Sequence, residues 1–179
     1  MSNTSPPFDK IALLGIGLIG SSLARAAKKH GLADHVAIYT RSPATLAKAE
    51  ELDLGDSYSG DPAEAVRDAD LVVLCVPLGA YESIAKAMAP GLKPGSIVSD
   101  VGSTKQSVFG DVMAHLPAGT HLVPAHPVAG TAESGPEAGY AKLFEDHWCI
   151  LTPAQGTERA AIDKVQDMWI RCGMMVEEM

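Results

Sequence analysis

An apolar run that breaks into three spaced glycines is the feature that most constrains the fold. Lys10 to Leu14 is strand-like, Gly15-x-Gly17-x-x-Gly20 follows, and small residues then continue as a helix-like stretch. In this pattern the first glycine makes a tight turn, the second lets the backbone approach a pyrophosphate, and the third lets the helix lie against the strand. The N–H groups and the positive dipole end of the helix favour phosphate. The motif therefore predicts a dinucleotide site.

A Walker-type phosphate loop is the main alternative for such a glycine pattern. That loop requires lysine directly after its last glycine, where this chain has Ser21. Dinucleotide binding is therefore the preferred interpretation. The residues of the turn that we expect to contact the cofactor are Gly15, Gly17, Leu18, Ile19 and Gly20.

Charge and cysteine content exclude several classes of partner. The 179 residues carry a net charge of −8, which argues against binding to nucleic acid or to anionic membranes. The chain has no apolar run of the roughly 18 residues that a membrane span needs, and its polar, proline-containing start is unlike a signal peptide. The three cysteines are scattered without C-x-x-C spacing, as expected of reduced thiols. We therefore expect a cytoplasmic protein.

Apolar stretches alternate with helical patterns along the whole chain. This alternation predicts an α/β fold of the Rossmann type, a doubly wound, mainly parallel sheet with helices on both faces, as one dinucleotide-binding domain over residues 1–179. Later strands are expected at 35–39, 71–77, 95–102, 120–124, 148–152 and 174–177. One helix is expected to begin at residue 43, and further helices are expected at 62–69, 81–88, 104–115 and 157–172. A turn-rich segment is expected at 125–139.

The residues after the second strand predict which nicotinamide cofactor binds. In NAD enzymes with this fold, an acidic residue about 20 positions beyond the glycines binds the adenine ribose 2′-hydroxyl. Here that position is Thr40, followed by Arg41 and Ser42. Two hydroxyls and a guanidinium suit a 2′-phosphate, so NADP is favoured over NAD. In the alternative interpretation Arg41 only stacks on adenine and Ser42 only caps a helix.

Chemistry in doubly wound folds occurs just beyond the carboxyl ends of the strands. Val76 and Pro77 end the central strand and would line the nicotinamide side of the crevice. Ser103 follows the next strand, either as a functional hydroxyl or as a plain helix N-cap. His126 lies in a segment without helical or strand period, where a histidine more often has a functional role than on an amphipathic face.

Metal and hydrolase chemistry find no support in the sequence. None of the six histidines has a partner at helical metal-ligand spacing, and His121 and His126 lack nearby carboxylates or thiols. The chain also has no G-x-S-x-G motif of a serine hydrolase. We therefore predict no metal site.

Five segments together resemble the prephenate/arogenate (cyclohexadienyl) dehydrogenases in order and spacing. These segments are 15–20, Asp70 to Pro77, Asp100 to Lys105, His126 to Thr131 and Ile150 to Pro153. The resemblance implies an enzyme of tyrosine biosynthesis that oxidatively decarboxylates prephenate, arogenate or both. In that reaction a hydride leaves ring C4 for the nicotinamide, and CO2 departs as the ring aromatises.

The resemblance also implies roles for individual residues. His126 would be the general base on the C4 hydroxyl, a task that suits a neutral imidazole. Ser103 would hold that hydroxyl or His126 in position and would touch the nicotinamide. Gly130 and Thr131 would shape the substrate pocket.

Two departures from the family pattern affect these expectations. Family members often carry glutamate directly after the Gly-Thr pair, whereas this chain has Ala132 there and Glu133 one residue later. Family enzymes also continue into an all-helical C-terminal domain that supplies a homodimer interface and a cationic residue for the substrate carboxylate. Nothing in this chain corresponds to that domain. We therefore expect the chain to bind NADP but to turn over substrate very poorly.

Two other functions remain open at this point. A β-hydroxyacid type of NADP oxidoreductase shares the glycine motif and the Val-Pro strand end, but it should have a lysine base on a later helix and no H-P-x-A-G segment. A regulatory module would bind NADP without chemistry. The sequence also leaves the choice between prephenate and arogenate open.

Overall fold

A parallel sheet of six strands organises the molecule, which the computed structural model describes over residues 5–179. The strand order is β3-β2-β1-β4-β5-β6, and every neighbouring pair is parallel. The doubly wound topology predicted from the sequence is confirmed. The strands are β1 (Phe8–Leu14), β2 (Ala33–Tyr39), β3 (Ser57–Ser59), β4 (Leu71–Leu74), β5 (Ile97–Asp100) and β6 (His121–Leu122).

Helices cover both faces of this sheet, as the strand pattern requires. On β1, Ile11 and Leu13 belong to one hydrophobic cluster, whereas Ala12 and Leu14 belong to the other, because successive side chains of a strand point to opposite faces. The helices are α1 (Leu18–His30), α2 (Pro43–Glu51), α3 (Pro62–Val66), α4 (Tyr81–Met88), α5 (Lys105–Asp111) and α6 (Arg159–Arg171). Short 3-10 turns cover Leu78–Ala80, Ala89–Gly91 and Met113–His115.

Two helices end several residues earlier than the sequence predicts. The helix expected over 62–69 ends at Val66, because Arg67 already leaves the helical conformation, with φ −56° and ψ 128°. Asp61 caps its start by accepting a hydrogen bond from the Ala63 N–H. The helix expected over 104–115 is interrupted after Asp111 and ends in a 3-10 turn.

A second, three-stranded sheet was only partly predicted. It consists of β7 (Ala125–Pro127), β8 (Trp148–Leu151) and β9 (Met175–Glu178), with β7 antiparallel and β9 parallel to β8. The turn-rich segment expected over 125–139 is therefore wrong for its first three residues. Three residues are too few for a recognisable alternation, and Pro127 is tolerated because β7 is an edge strand. His126 consequently lies in a strand.

The last helix, α6, buries one face against the core. Its Trp169 packs edge-on against Phe144 with ring centres 5.3 Å apart. None of the helices within residues 5–179 is long and apolar enough to cross a bilayer. The polar start expected over residues 1–9 lies in part outside the described residues.

Candidate functional site

Two of the three motif glycines are required by packing. Gly15 follows β1 with φ +103°, and a Cβ there would lie 2.7 Å from the backbone carbon of Cys75. A Cβ on Gly20 would lie only 2.2 Å from the carbonyl oxygen of Gly15. Both positions exclude any side chain, because α1 and the strand-end turn lie against each other there.

The middle glycine faces open space instead. Gly17 is the N-cap of α1, and a Cβ added to it would meet no described atom within 4 Å. Leu18 and Ile19 pack their side chains against the core, while their N–H groups belong to the first helical turn, where amides have no partner four residues earlier. This arrangement leaves room and donors for an anionic ligand at the turn.

A cavity of about 850 Å³ opens beside this glycine turn. Its volume is within the range of about 300–1,000 Å³ that small-molecule and cofactor sites occupy. It brings together residues that follow β1, β2 and β4, and two residues from the segment after β7. The predicted cofactor residues that line it are Gly15, Gly17, Thr40, Arg41, Val76 and Pro77.

The end of the cavity beside β2 carries two of the three residues expected to bind the adenine ribose. Thr40 and Arg41 line it, and no Asp or Glu of residues 5–179 does so. Arg41 is exposed and makes no hydrogen bond or ion pair within that part of the chain. Ser42 does not line the cavity; its hydroxyl accepts a hydrogen bond from the Thr45 N–H at 3.3 Å and so caps α2. Ser42 therefore caps α2, as the alternative interpretation expects.

A buried carboxylate connects the loop that carries Ser103 to the strand β7 that carries His126. Asp100, at the end of β5, has no exposed surface and accepts hydrogen bonds from the Tyr81 hydroxyl, the Gly102 N–H and the Ala125 N–H. The Lys105 ammonium lies 2.9 and 2.8 Å from its two oxygens. Lys105 also donates to the carbonyl oxygen of Ala125.

Ser103 and His126 flank this network on its two sides. Ser103 is exposed and lies between Gly102 and Lys105, whereas His126 is half-buried directly after Ala125. The N-cap of α5 is Thr104, so the interpretation of Ser103 as a plain helix cap is wrong. The network ties the backbone next to Ser103 to the backbone next to His126.

The surroundings of His126 favour a neutral imidazole. Burial lowers the pKa of His126, the Lys105 ammonium lowers it further, and Asp100 partly opposes both effects. A neutral ring has one nitrogen free to accept a proton. His126 therefore has the protonation state that a general base requires.

Sequence reasoning missed the part that Lys105 plays. The sequence shows Lys105 only as the end of a motif, yet burial lowers the pKa of Lys105 while Asp100 opposes that shift, so the side chain lies in a partly desolvated site. A lysine five residues after an aspartate at the end of an apolar strand was the available signal. The buried ion pair of Asp100 and Lys105 is the electrostatic centre of the site.

The residues expected to shape a substrate pocket lie outside the 850 Å³ cavity. Gly130 and Thr131 are exposed in the loop after β7. The Thr131 hydroxyl oxygen accepts a hydrogen bond from the Glu133 N–H at 3.1 Å, so that hydroxyl organises the turn. Within residues 5–179, no group of three or more His, Cys, Asp or Glu is arranged to hold a metal ion.

The family of the chain follows from a direct match. Residues 23–178 match the model of the family described as prephenate dehydrogenase, nucleotide-binding domain. The chain belongs to the prephenate dehydrogenase family. The match begins after the glycine turn, so the turn is an independent observation. Membership favours the prephenate/arogenate interpretation over the β-hydroxyacid alternative.

Curated relatives in the prephenate dehydrogenase family are considerably longer. Cyclohexadienyl dehydrogenase of Zymomonas mobilis is 47% identical over 167 residues, which cover 93% of this chain and 56% of that protein. Prephenate dehydrogenase of Bacillus subtilis is 32% identical over 89% of this chain and 43% of its own length. The chain thus spans about half the length of the curated relatives that it matches.

Solved structures of prephenate and arogenate dehydrogenases share the fold. Prephenate dehydrogenase of Aquifex aeolicus in complex with hydroxyphenyl propionate and NAD+ matches with a TM-score of 0.87 and 27% identity. That match covers 100% of this chain and 61% of the other. Synechocystis arogenate dehydrogenase matches with a TM-score of 0.84 and 27% identity, covering 95% and 59%.

Proposed function

We propose that this chain is the cofactor-binding part of an enzyme that oxidatively decarboxylates prephenate, arogenate or both, with NADP as the oxidant. Family membership supports the reaction class. The observation that carries the proposal at the site is the open cavity at Gly17, which Thr40 and Arg41 also line. His126 lies outside that lining, beside the buried ion pair, and burial lowers its pKa. We further propose a cytoplasmic enzyme in tyrosine biosynthesis.

The residues present fit a dinucleotide. Gly17 leaves open space at the helix N-terminus, and Val76 and Pro77 line the same cavity as Thr40 and Arg41. The pyrophosphate would lie at the turn, the nicotinamide near Val76 and Pro77, and the adenosine end near Thr40 and Arg41. Arg41 is the reason to propose NADP, since an exposed guanidinium suits a 2′-phosphate and no described carboxylate competes for it there.

His126 and Ser103 would act on the substrate hydroxyl. The bound nicotinamide would accept the hydride from ring C4. His126 would take the proton of the C4 hydroxyl, and Ser103 would donate a hydrogen bond that orients either the hydroxyl or the imidazole. The electrons of the bond to the departing carboxylate then complete the aromatic ring as CO2 leaves.

The substrate carboxylates require a cation, because a desolvated carboxylate without a partner is costly. Within the described residues, Arg41 is the one cationic side chain that lines the cavity. We propose that Arg41 binds the cofactor. We further propose that a second segment, corresponding to the part of the longer relatives that this chain does not match, supplies the cation for the substrate and a homodimer interface.

Two measurements test the proposed function. Titration of the chain with NADP and NAD is expected to show saturable binding with preference for NADP. A chimera that joins this chain to the remaining C-terminal part of the Zymomonas mobilis relative is expected to form reduced nucleotide with prephenate or arogenate, whereas the chain alone forms very little.

Each outcome has a distinct meaning. A chain that binds neither nucleotide would refute the dinucleotide site. A folded chimera that binds NADP but turns over neither substrate would support the non-catalytic module instead. Near-complete activity of the chain alone would contradict the need for a further segment.

A further inference from the structure

A segment after β7 lies across the helix that follows the glycine turn. This segment, residues 133–140, is here called the strap. At its end the Tyr140 N–H donates to the buried Ser22 hydroxyl at 3.1 Å. Near its middle the carbonyl oxygen of Pro136 accepts a hydrogen bond from Arg25 Nη1 at 3.1 Å. Both partners on α1 lie within eight residues of Gly17.

The strap lies close against α1 at Gly139. A Cβ on Gly139 would lie 2.1 Å from the Ser21 hydroxyl and 2.7 Å from the Ser22 nitrogen. Only glycine fits at that contact. Glu137 of the strap also forms an ion pair of 3.6 Å with Lys48 of α2, which contributes little because both side chains remain accessible to water.

The strap also forms part of the 850 Å³ cavity. Gly135 and Pro136 line it together with Gly15 and Gly17. Arg25 therefore bonds the carbonyl of a residue that is itself a wall of the cavity. At its other end the strap joins the loop of Thr131, whose hydroxyl accepts the Glu133 N–H.

We propose that Arg25 and Ser22 are positioning residues for the dinucleotide, which hold the strap on α1 so that Gly135 and Pro136 close one side of the cofactor cavity. This inference rests on the proposed dinucleotide site. Neither side chain lines the cavity, so both act through the strap. When the strap is already held in its binding position, less conformational entropy is lost on binding the nucleotide. A loosened strap increases that loss and weakens binding.

The proposal is tested by measuring the binding of NADPH and NADH to the chain through the fluorescence of the nucleotide. Arg25→Met removes the donor and Gly139→Ala pushes the strap from α1, so each is expected to weaken nucleotide binding about tenfold. Arg25→Lys keeps a donor and should fall between wild type and Arg25→Met. Gly110→Ala is the matched control, since its Cβ would enter open space on α5, and it should bind as wild type does.

Urea unfolding and amide exchange separate positioning from general damage. Cooperative unfolding of each variant shows that it is folded, and faster exchange of the Tyr140 N–H in Arg25→Met reports a loosened strap. Should Arg25→Met not fold, Gly139→Ala and Ser22→Ala carry the same test. Folded variants with wild-type affinity would overturn this inference alone, whereas a wild-type chain that binds neither nucleotide would refute the proposed function and this inference with it.

Discussion

The Lys105 ammonium lies 2.8 Å from an Asp100 carboxylate that has no exposed surface, and it also donates to the Ala125 carbonyl next to His126. This pair joins the end of β5 to the start of β7. The candidate hydroxyl of Ser103, on the loop after β5, and the candidate base His126, in β7, are therefore connected through a single buried charge pair.

Asp100→Asn is expected to destabilise the fold by about 3 kcal/mol, because the substitution leaves the mostly buried Lys105 ammonium without its counter-charge. Urea unfolding with two-state analysis measures the change. Asp53→Asn is the control, since it removes an exposed partner of Lys28 and should cost less than about 1 kcal/mol. Equal effects at the two positions would contradict the importance of the buried pair.

Lys105→Met is expected to raise the pKa of His126, because the ammonium is one cause of its lowered value and the remaining Asp100 carboxylate favours the imidazolium. Titration of the His126 ring by NMR measures this, and Lys105→Arg, which keeps the charge, should retain a low pKa. A His126 pKa that does not change in Lys105→Met would contradict the electrostatic link.

The lowered pKa of His126 also predicts how stability depends on pH. A histidine with a folded-state pKa below its unfolded value of about 6.5 binds its proton more tightly in the unfolded chain. His126 therefore costs no stability above about pH 6.5, and it reduces stability as the pH falls below that value. Comparing urea unfolding of wild type and His126→Asn across this range isolates the effect: the loss on acidification should be smaller in His126→Asn.

Gly17→Ala and Gly20→Ala should affect different properties, nucleotide binding and stability respectively, although both alter the same motif. The Cβ of Gly17→Ala enters open space within the described protein, so stability should be retained while the methyl group hinders the pyrophosphate and weakens nucleotide binding at least tenfold. The Cβ of Gly20→Ala would lie 2.2 Å from the Gly15 carbonyl oxygen, so that variant should lose stability. Thermal unfolding and nucleotide titration of both variants check the contrast. A stable Gly17→Ala variant with wild-type affinity would place the pyrophosphate elsewhere.

Arg41→Ala should weaken NADP binding by about 10- to 100-fold, the effect of losing one charge-assisted contact, and should leave NAD binding nearly unchanged. Calorimetric titration with both nucleotides gives the ratio. Arg67→Ala removes another exposed arginine, which lies outside the cavity, and controls for net charge. A wild-type chain that prefers NAD would contradict the assignment to NADP.

The central strands could be predicted because their signals are local and redundant. The parallel strands at the middle of the sheet are apolar on both faces, and β4, buried throughout, needs no partner to be recognised. Likewise, the glycine pattern predicts the turn, the helix and the close packing of that helix against the strand from residues within one short stretch. Gly15 and Gly20 are where packing demands glycine, and Gly17 is where it leaves space.

What escaped prediction depends on contacts between distant parts of the chain. β7 is a strand only because β8, more than 20 residues later, supplies its hydrogen bonds. The Asp100 network likewise joins residues 25 positions apart, from Asp100 to Ala125. The strap uses contacts between α1 and Tyr140 that span 118 positions. No local pattern reports such pairs.

The three-stranded sheet brings the last strand, β9, close to the strand that carries His126. In its register Ile150 of β8 pairs with His126 on one side and with Glu177 of β9 on the other. The last strand thus runs two strand spacings, about 10 Å, from the proposed base. An affinity tag attached after Met179 would emerge beside the edge that carries the proposed base, so a tag at the opposite terminus is the sounder choice for the measurements on the chain alone.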